Sequence, residues 1–359
     1  MDKRVSVKFS VVLFLLLTHV VFGHALNIKY EASSGWSAHN IVYAIENFTT
    51  YKLAKMKMPM FFFISAYLFF KNIKPGESDS FSTFRVKISR RLRTLGIPYL
   101  FWCAFWFAAV YGLQQLPALE AFFPTKLADQ PIGKQFFMLY IDPVNYPFWF
   151  LRELMLYIIA TPLLYRLVLK FGLWPSAVAM TISLFYKGIT VSGIEIYVFQ
   201  TMAYYCLGIH WSIRDKELRI PIKDWMMFAL IFIGFCLCGL LIWLEIRFPD
   251  TYLLEQRIIN NITGFIGFIS CWTLYDYLDD RLHFRYHPVF AYGFFLFAAH
   301  GLPTLWLREA LIRLLNPSPW LTLAFQYLTF AVIFTGCVAT AMLLRKVVPK
   351  FYLMVTGNR

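Results

Sequence analysis

Ten separate apolar stretches, most of them near the length that crosses a bilayer, restrict the fold of this 359-residue chain more than any other feature. They lie at roughly 5–23, 58–71, 96–116, 147–169, 173–190, 196–212, 225–246, 259–278, 288–306 and 320–344. A span needs about 20 predominantly apolar residues in a helix, because lipid offers the backbone no hydrogen-bonding partner but itself. The expectation is an all-α polytopic membrane bundle of about ten transmembrane helices, forming a single integral membrane domain over residues 1–359. The second stretch is short, and the amphipathic segment from Asn40 to Lys57 extends it. Composition excludes the soluble alternative: 15% of residues are charged and 59% hydrophobic, whereas soluble domains are nearer a quarter charged.

Charge sets the orientation. With the N-terminus in the cytoplasm, 21 of the 34 basic residues fall in inside segments and 11 in outside ones. Lys71, Lys74, Arg85, Lys87, Arg90, Arg91 and Arg93 form the densest inside group, and Lys216 and Arg359 belong to later inside segments. This asymmetry places both termini in the cytoplasm and explains the net charge of +14 without a nucleic-acid partner. The largest outside segments, about 24–57 and 117–146, are long enough to shape a binding surface but too short to fold alone. Lys3 and Arg4 before an apolar run resemble the start of a signal peptide, but His19 interrupts that run and favours a retained helix. The six cysteines sit in apolar segments with no metal-ligand spacing, and nothing points to a metal or to a permanently bound cofactor.

Ionisable residues inside spans are costly and are usually kept for a pathway or a reaction. Lys8 and His19 are eleven residues apart, a rotation of roughly 1100°, which returns them to one helix face about 16 Å apart along the axis. Arg152 and Glu153 in the fourth stretch and His300 in the ninth fall at a depth similar to that of His19, in the outer third of the membrane. Blander accounts exist for each: a histidine can bond a neighbouring helix, and Arg152 and Glu153 can neutralise each other. His24, about 140° around from His19, reads as a loop residue, and His283 and His287 as solvated. The basic run from Arg85 to Arg93 serves either as an anchor to anionic lipid or, through Arg91 and Arg93, as a grip on the phosphates of a nucleotide-bearing donor.

At these residues the chain resembles the acyltransferase-3 superfamily of integral membrane acyltransferases. Lys8-(ten residues)-His19 is similar to a first-helix Arg-(ten residues)-His signature, with lysine in place of arginine. Met58-Pro59-Met60-Phe61-Phe62-Phe63-Ile64-Ser65-Ala66-Tyr67-Leu68 resembles the PlFFfiSGYl segment, with Ala66 where glycine is usual. Arg91-Leu92-Arg93 with Pro98-Tyr99, Trp149-Phe150-Leu151, and Ala291 to His300 resemble later elements in the same order.

The resemblance implies transfer of an acyl group, most often acetyl, from cytoplasmic acyl-CoA to a hydroxyl of a cell-envelope glycan or lipid-linked saccharide at the cell inner membrane. On that reading His19, Glu153 and His300 are the catalytic candidates. Lys8, Arg91 and Arg93 contact the donor, while Arg152 and Trp149 contact the acceptor. His19, an imidazole largely neutral near pH 7, takes the proton of the attacking hydroxyl. Two other classes carry intramembrane polar groups: a transporter or flippase of lipid-linked saccharides, and a pH-responsive sensor. Neither internal repeats nor a signalling segment supports them.

Overall fold

The computed structural model describes residues 3–26, 37–71, 73, 81–117, 119, 126–186, 188–191, 194–214, 218–248 and 254–358. Lys74, Lys216 and Arg359, part of the charge argument, lie outside the described residues, as does part of each long outside segment.

The chain is a helical bundle. Among the described residues, seven helical units are long and apolar enough to cross a membrane: α1 (Lys3–His24), the unit Ala38–Phe70, Phe84–Leu113 within α4 (Phe81–Leu113), Tyr146–Phe171, α9 (Asp224–Arg247), α10 (Leu254–Leu282) and α13 (Pro319–Val347). An eighth is broken: a 3-10 turn (Pro288–Tyr292) leads into α11 (Gly293–Ala299), which meets α12 (Gly301–Leu315) at 65°. The all-α polytopic bundle is as expected, with seven or eight units of spanning length among the described residues where about ten stretches were expected. The fifth and sixth stretches form α7 (Trp174–Phe185) and α8 (Val198–Ile213), of 12 and 16 residues. At 1.5 Å per residue these reach about 18 and 24 Å, short of a hydrocarbon core of about 30 Å. A small hairpin joins them, Ile189–Val191 against Ile194–Ile196.

The expected extension of the second stretch is present and has a particular form. α2 (Ala38–Asn47) begins at Ser37, whose hydroxyl caps the Asn40 N–H. It then loosens into a π-helical turn (Phe48–Lys52) before α3 (Lys57–Phe70). Such turns release main-chain carbonyls from the helical ladder and recur at functional sites.

α3 is the centre of the bundle, with Met60, Phe62, Ala66 and Phe70 fully buried. Aromatic rings fill the space around it: Phe63 meets Phe268 at 5.2 Å and Trp272 at 5.3 Å, and Phe62 meets Phe150 at 5.2 Å. Lipid is as apolar as these rings, so packing rather than the hydrophobic effect holds such helices together, and small residues permit close approach. Ala66 illustrates this. It faces Gly208 of α8, where a Cβ would collide with the Phe63 carbonyl and the Ala66 methyl. Gly208→Ala is expected to destabilise the α3–α8 pair by about 1–3 kcal/mol, the usual cost of overpacking. The check is the half-life of thermal inactivation in detergent, which should shorten.

Pro303 explains the break in the ninth span. Its ring would clash with the Ala299 carbonyl, and it offers no N–H to it, so the helix cannot run through. The carbonyls at the end of α11 take side-chain donors. His300 Nδ1–H donates to the carbonyls of Leu296 (3.0 Å) and Phe297 (2.8 Å). The Ala298 carbonyl accepts from Trp106 Nε1 (2.9 Å) and Asn145 Nδ2 (3.3 Å). Gly301 has to lack a side chain, because a Cβ there would collide with Asn145 Oδ1.

Candidate active site between two cavities

An apolar cavity between α1, α3 and α11 has a volume of about 450 Å³, the size of a small-ligand site. Ser10, Leu13, Leu17 and Val20 of α1 form one wall, Phe61, Ile64 and Leu68 of α3 another, and Phe294 and Phe297 of α11 a third. At the basic end of the bundle it reaches Arg91, which also lines a second space of about 390 Å³ with Lys71, Lys87, Arg90 and Thr94. Leu68 likewise borders both. A cationic mouth therefore opens on an apolar shaft. Arg91 is the expected residue that lines it; Arg93 is exposed and does not, and Lys71, Lys87 and Arg90 stand there with Arg91.

At the opposite end a small pocket of about 20 Å³ is lined by Gly23, His24, Tyr51, Tyr146, Gly301 and Arg308, together with Leu305. On three elements the two spaces are one helical turn apart. Val20 lines the shaft and Gly23 the pocket; Phe297 lines the shaft and Gly301 the pocket; Phe150 lines the shaft and Tyr146 the pocket. Along α1 the partition is thus about 4.5 Å thick, and imidazoles occupy it. The His24 and His300 rings are 5.1 Å apart, and the Tyr146 hydroxyl hydrogen-bonds His24 Nδ1. His24 is the last residue of α1 and belongs to this site, not to a loop as the sequence suggested.

His19 and His300 present the same arrangement by different means. A carbonyl can only accept, so the ring nitrogen facing it carries the proton. His19 Nε2–H donates to the Thr49 carbonyl at 2.8 Å, a group supplied by the π-turn, and its buried Nδ1 has no partner among the described residues. His300 Nδ1–H is held by α11, and its buried Nε2 likewise has no partner. Each ring thus keeps a free lone pair, as a base requires.

Lys57 joins these groups. It is the first residue of α3, next to Met58 of the shaft, and its Nζ lies beside Gly23, 3.2 Å from where a Cβ there would stand. The sequence reading counted Lys57 as an outside loop cation and missed it; its position just before Met58-Pro59 was the available signal.

The other expected site residues are engaged elsewhere. Lys8 is buried, with Nζ 2.8 Å from both Asp276 carboxylate oxygens and 3.2 Å from the Leu218 carbonyl, and 4.0 Å above the Trp272 ring. It lines neither cavity. Asp276, an acid in a predicted span, was the sequence signal for this pair. Lys8→Met is expected to cost about 3 kcal/mol, because it strands a mostly buried carboxylate; Lys8→Met combined with Asp276→Leu should recover part of it, as a double-mutant unfolding cycle would show. Glu153 is buried and accepts from the Tyr197 N–H at 3.0 Å, capping the start of α8. Arg152 donates to the Ile141 carbonyl at 2.6 Å and pairs with Asp142 at 3.7 Å, not with Glu153. Trp149 packs on Tyr197 with ring centres 5.3 Å apart. These three support the wall around α6 (Trp149–Phe171) without lining either space.

The chain matches the acyltransferase domain of the acyltransferase-3 family over residues 12–342. It belongs to that family. The far pocket and all of the shaft lining except Ser10 fall within the matched region, and the family is one of multi-pass membrane acyltransferases. The succinoglycan biosynthesis protein ExoH of Rhizobium meliloti (strain 1021) is 29% identical over 177 residues, which cover 48% of this chain and 45% of that protein. The chain thus aligns with less than half the length of this relative. No solved structure matches.

Proposed function

We propose that this protein is a membrane O-acyltransferase that moves an acyl group, acetyl in the simplest case, from acyl-CoA on the cytoplasmic side to a hydroxyl of a cell-envelope glycan. The observation that carries the reading is the shaft: a cationic mouth suited to nucleotide phosphates, an apolar passage suited to a pantetheine arm, and an end one turn from a pocket lined with histidine. The relative named for succinoglycan biosynthesis supports a polysaccharide acceptor, and the excess of basic residues at the mouth supports a cytoplasmic donor side.

In the proposed reaction the acceptor oxygen attacks the thioester carbonyl, and its proton passes to the free nitrogen of His19. The oxyanion forms beside the Lys57 ammonium, which stabilises it electrostatically. The carbon–sulfur bond then breaks, and the departing CoA thiolate recovers the proton from His19 and leaves as the thiol. His300 and His24, with Tyr146, orient the acceptor hydroxyl in the partition.

Incubation of the purified protein in lipid nanodiscs with radiolabelled acetyl-CoA and envelope polysaccharide tests this reading. Label should enter the polysaccharide with the wild type and not with His19→Ala. The broken α11–α12 pair favours one second reading, since interrupted helices line transport sites. A flippase would translocate a lipid-linked saccharide in vesicles without acyl-CoA. That result, with no label transferred, would replace the acyltransferase reading.

A further inference from the structure

The small pocket contains a guanidinium for which the proposed chemistry has no use. Arg308 is buried, and its Nη1 donates to the carbonyls of Leu26 and, at 3.5 Å, His24. These are groups at the C-terminal end of α1, so one nitrogen serves as a helix cap. The rest of the fork is uncommitted: the buried Nε has no partner, and Arg308 forms no ion pair among the described residues. The neighbouring carboxylate is spent elsewhere, since Glu309 pairs with Arg313 at 2.7 Å. Glu46 acts on Arg308 only at a distance and makes no contact with it among the described residues. Lys57, whose Nζ lies beside Gly23 of the same pocket, adds a second basic group. A buried, unpaired guanidinium is costly to retain and is suited to planar, bidentate binding of a carboxylate. At the rim stand Tyr51 and Tyr146, 44% and 52% exposed, with rings available to the apolar face of a sugar.

We propose that this pocket is an acceptor subsite for an acidic saccharide, with Arg308 holding a carboxylate of the sugar while Tyr51 and Tyr146 flank its ring. The assignment rests on the acyltransferase reading for its purpose but not for its test, which measures binding alone. The carboxylate fixes the sugar so that a neighbouring hydroxyl faces His24 and His300.

Equilibrium binding of trigalacturonate and of galactotriose to the purified protein in nanodiscs, without acyl-CoA, tests it directly. The wild type should bind the acidic trisaccharide at least tenfold more tightly, and the preference should shrink as salt is raised. Arg308→Gln should abolish the preference, Arg308→Lys should leave part of it, and Tyr51→Ala should weaken both ligands. Equal affinity of the wild type for the two sugars, or a preference that survives Arg308→Gln, would overturn the proposal. Should Arg308→Gln fail to fold, the wild-type preference and its salt dependence still decide. A lack of acetyl transfer in the separate labelling assay would count against the acyltransferase reading only.

Discussion

His19→Ala is expected to lower kcat for acyl transfer by about 10²–10⁴-fold, the usual contribution of a positioned base, with little change in KM for acyl-CoA. The argument is geometric. The π-turn between α2 and α3 delivers the Thr49 carbonyl to Nε2, which fixes the tautomer and leaves Nδ1 as the basic atom. Alanine removes the base while leaving the shaft untouched, because His19 is not among its lining residues. The protein should therefore still bind donor and remain in the membrane. Steady-state kinetics with labelled acetyl-CoA give both constants. Should His300→Ala lose far more than His19→Ala, the free Nε2 of His300 is the base and the roles exchange.

Lys57→Met should lower kcat by about 10²–10³-fold, the effect of removing one stabilising partner from a developing oxyanion. The Lys57 Nζ lies beside Gly23 of the pocket, and the next residue, Met58, lines the shaft, so the ammonium is placed near where a thioester carbonyl would acquire charge. Methionine keeps the length and apolar stem, and the packing of α3 should survive. Lys57→Arg should restore a fraction of the rate, since charge is retained while the shape differs. A Lys57→Met protein with wild-type kcat and a raised acyl-CoA KM would instead make Lys57 a donor-binding group.

Much of this site was visible as residue types, but little of it as pairings. His19, His300 and Arg91 were identifiable because a charge or an imidazole in an apolar run stands out against its neighbours. Their surroundings were not, because each partner comes from a distant segment: Thr49 for His19, His24 for His300, Asp276 for Lys8. Arg152 and Glu153 stood out for the same reason, yet their contacts in the structure are local, one with Asp142 and the other with the Tyr197 N–H at the start of α8. Depth alone did not distinguish a group in the partition from one in the wall beside it.

By itself the sequence determined that the chain is an α-helical membrane protein of the acyltransferase-3 family. Apolar runs can satisfy their backbone in lipid only as helices, and the motifs that mark the family follow one another along the chain. It did not place the break at His300: the ninth stretch read as one span, and the bend between α11 and α12 came with the structure. Only the tertiary structure decided that two stretches form helices of 12 and 16 residues, that Lys8 pairs with Asp276, and that His24 and Arg308 share the far pocket with Tyr146 and Gly301, with the Lys57 Nζ beside Gly23. Those outcomes depend on which faces of separate helices meet, and periodicity along one helix carries no information about its neighbours.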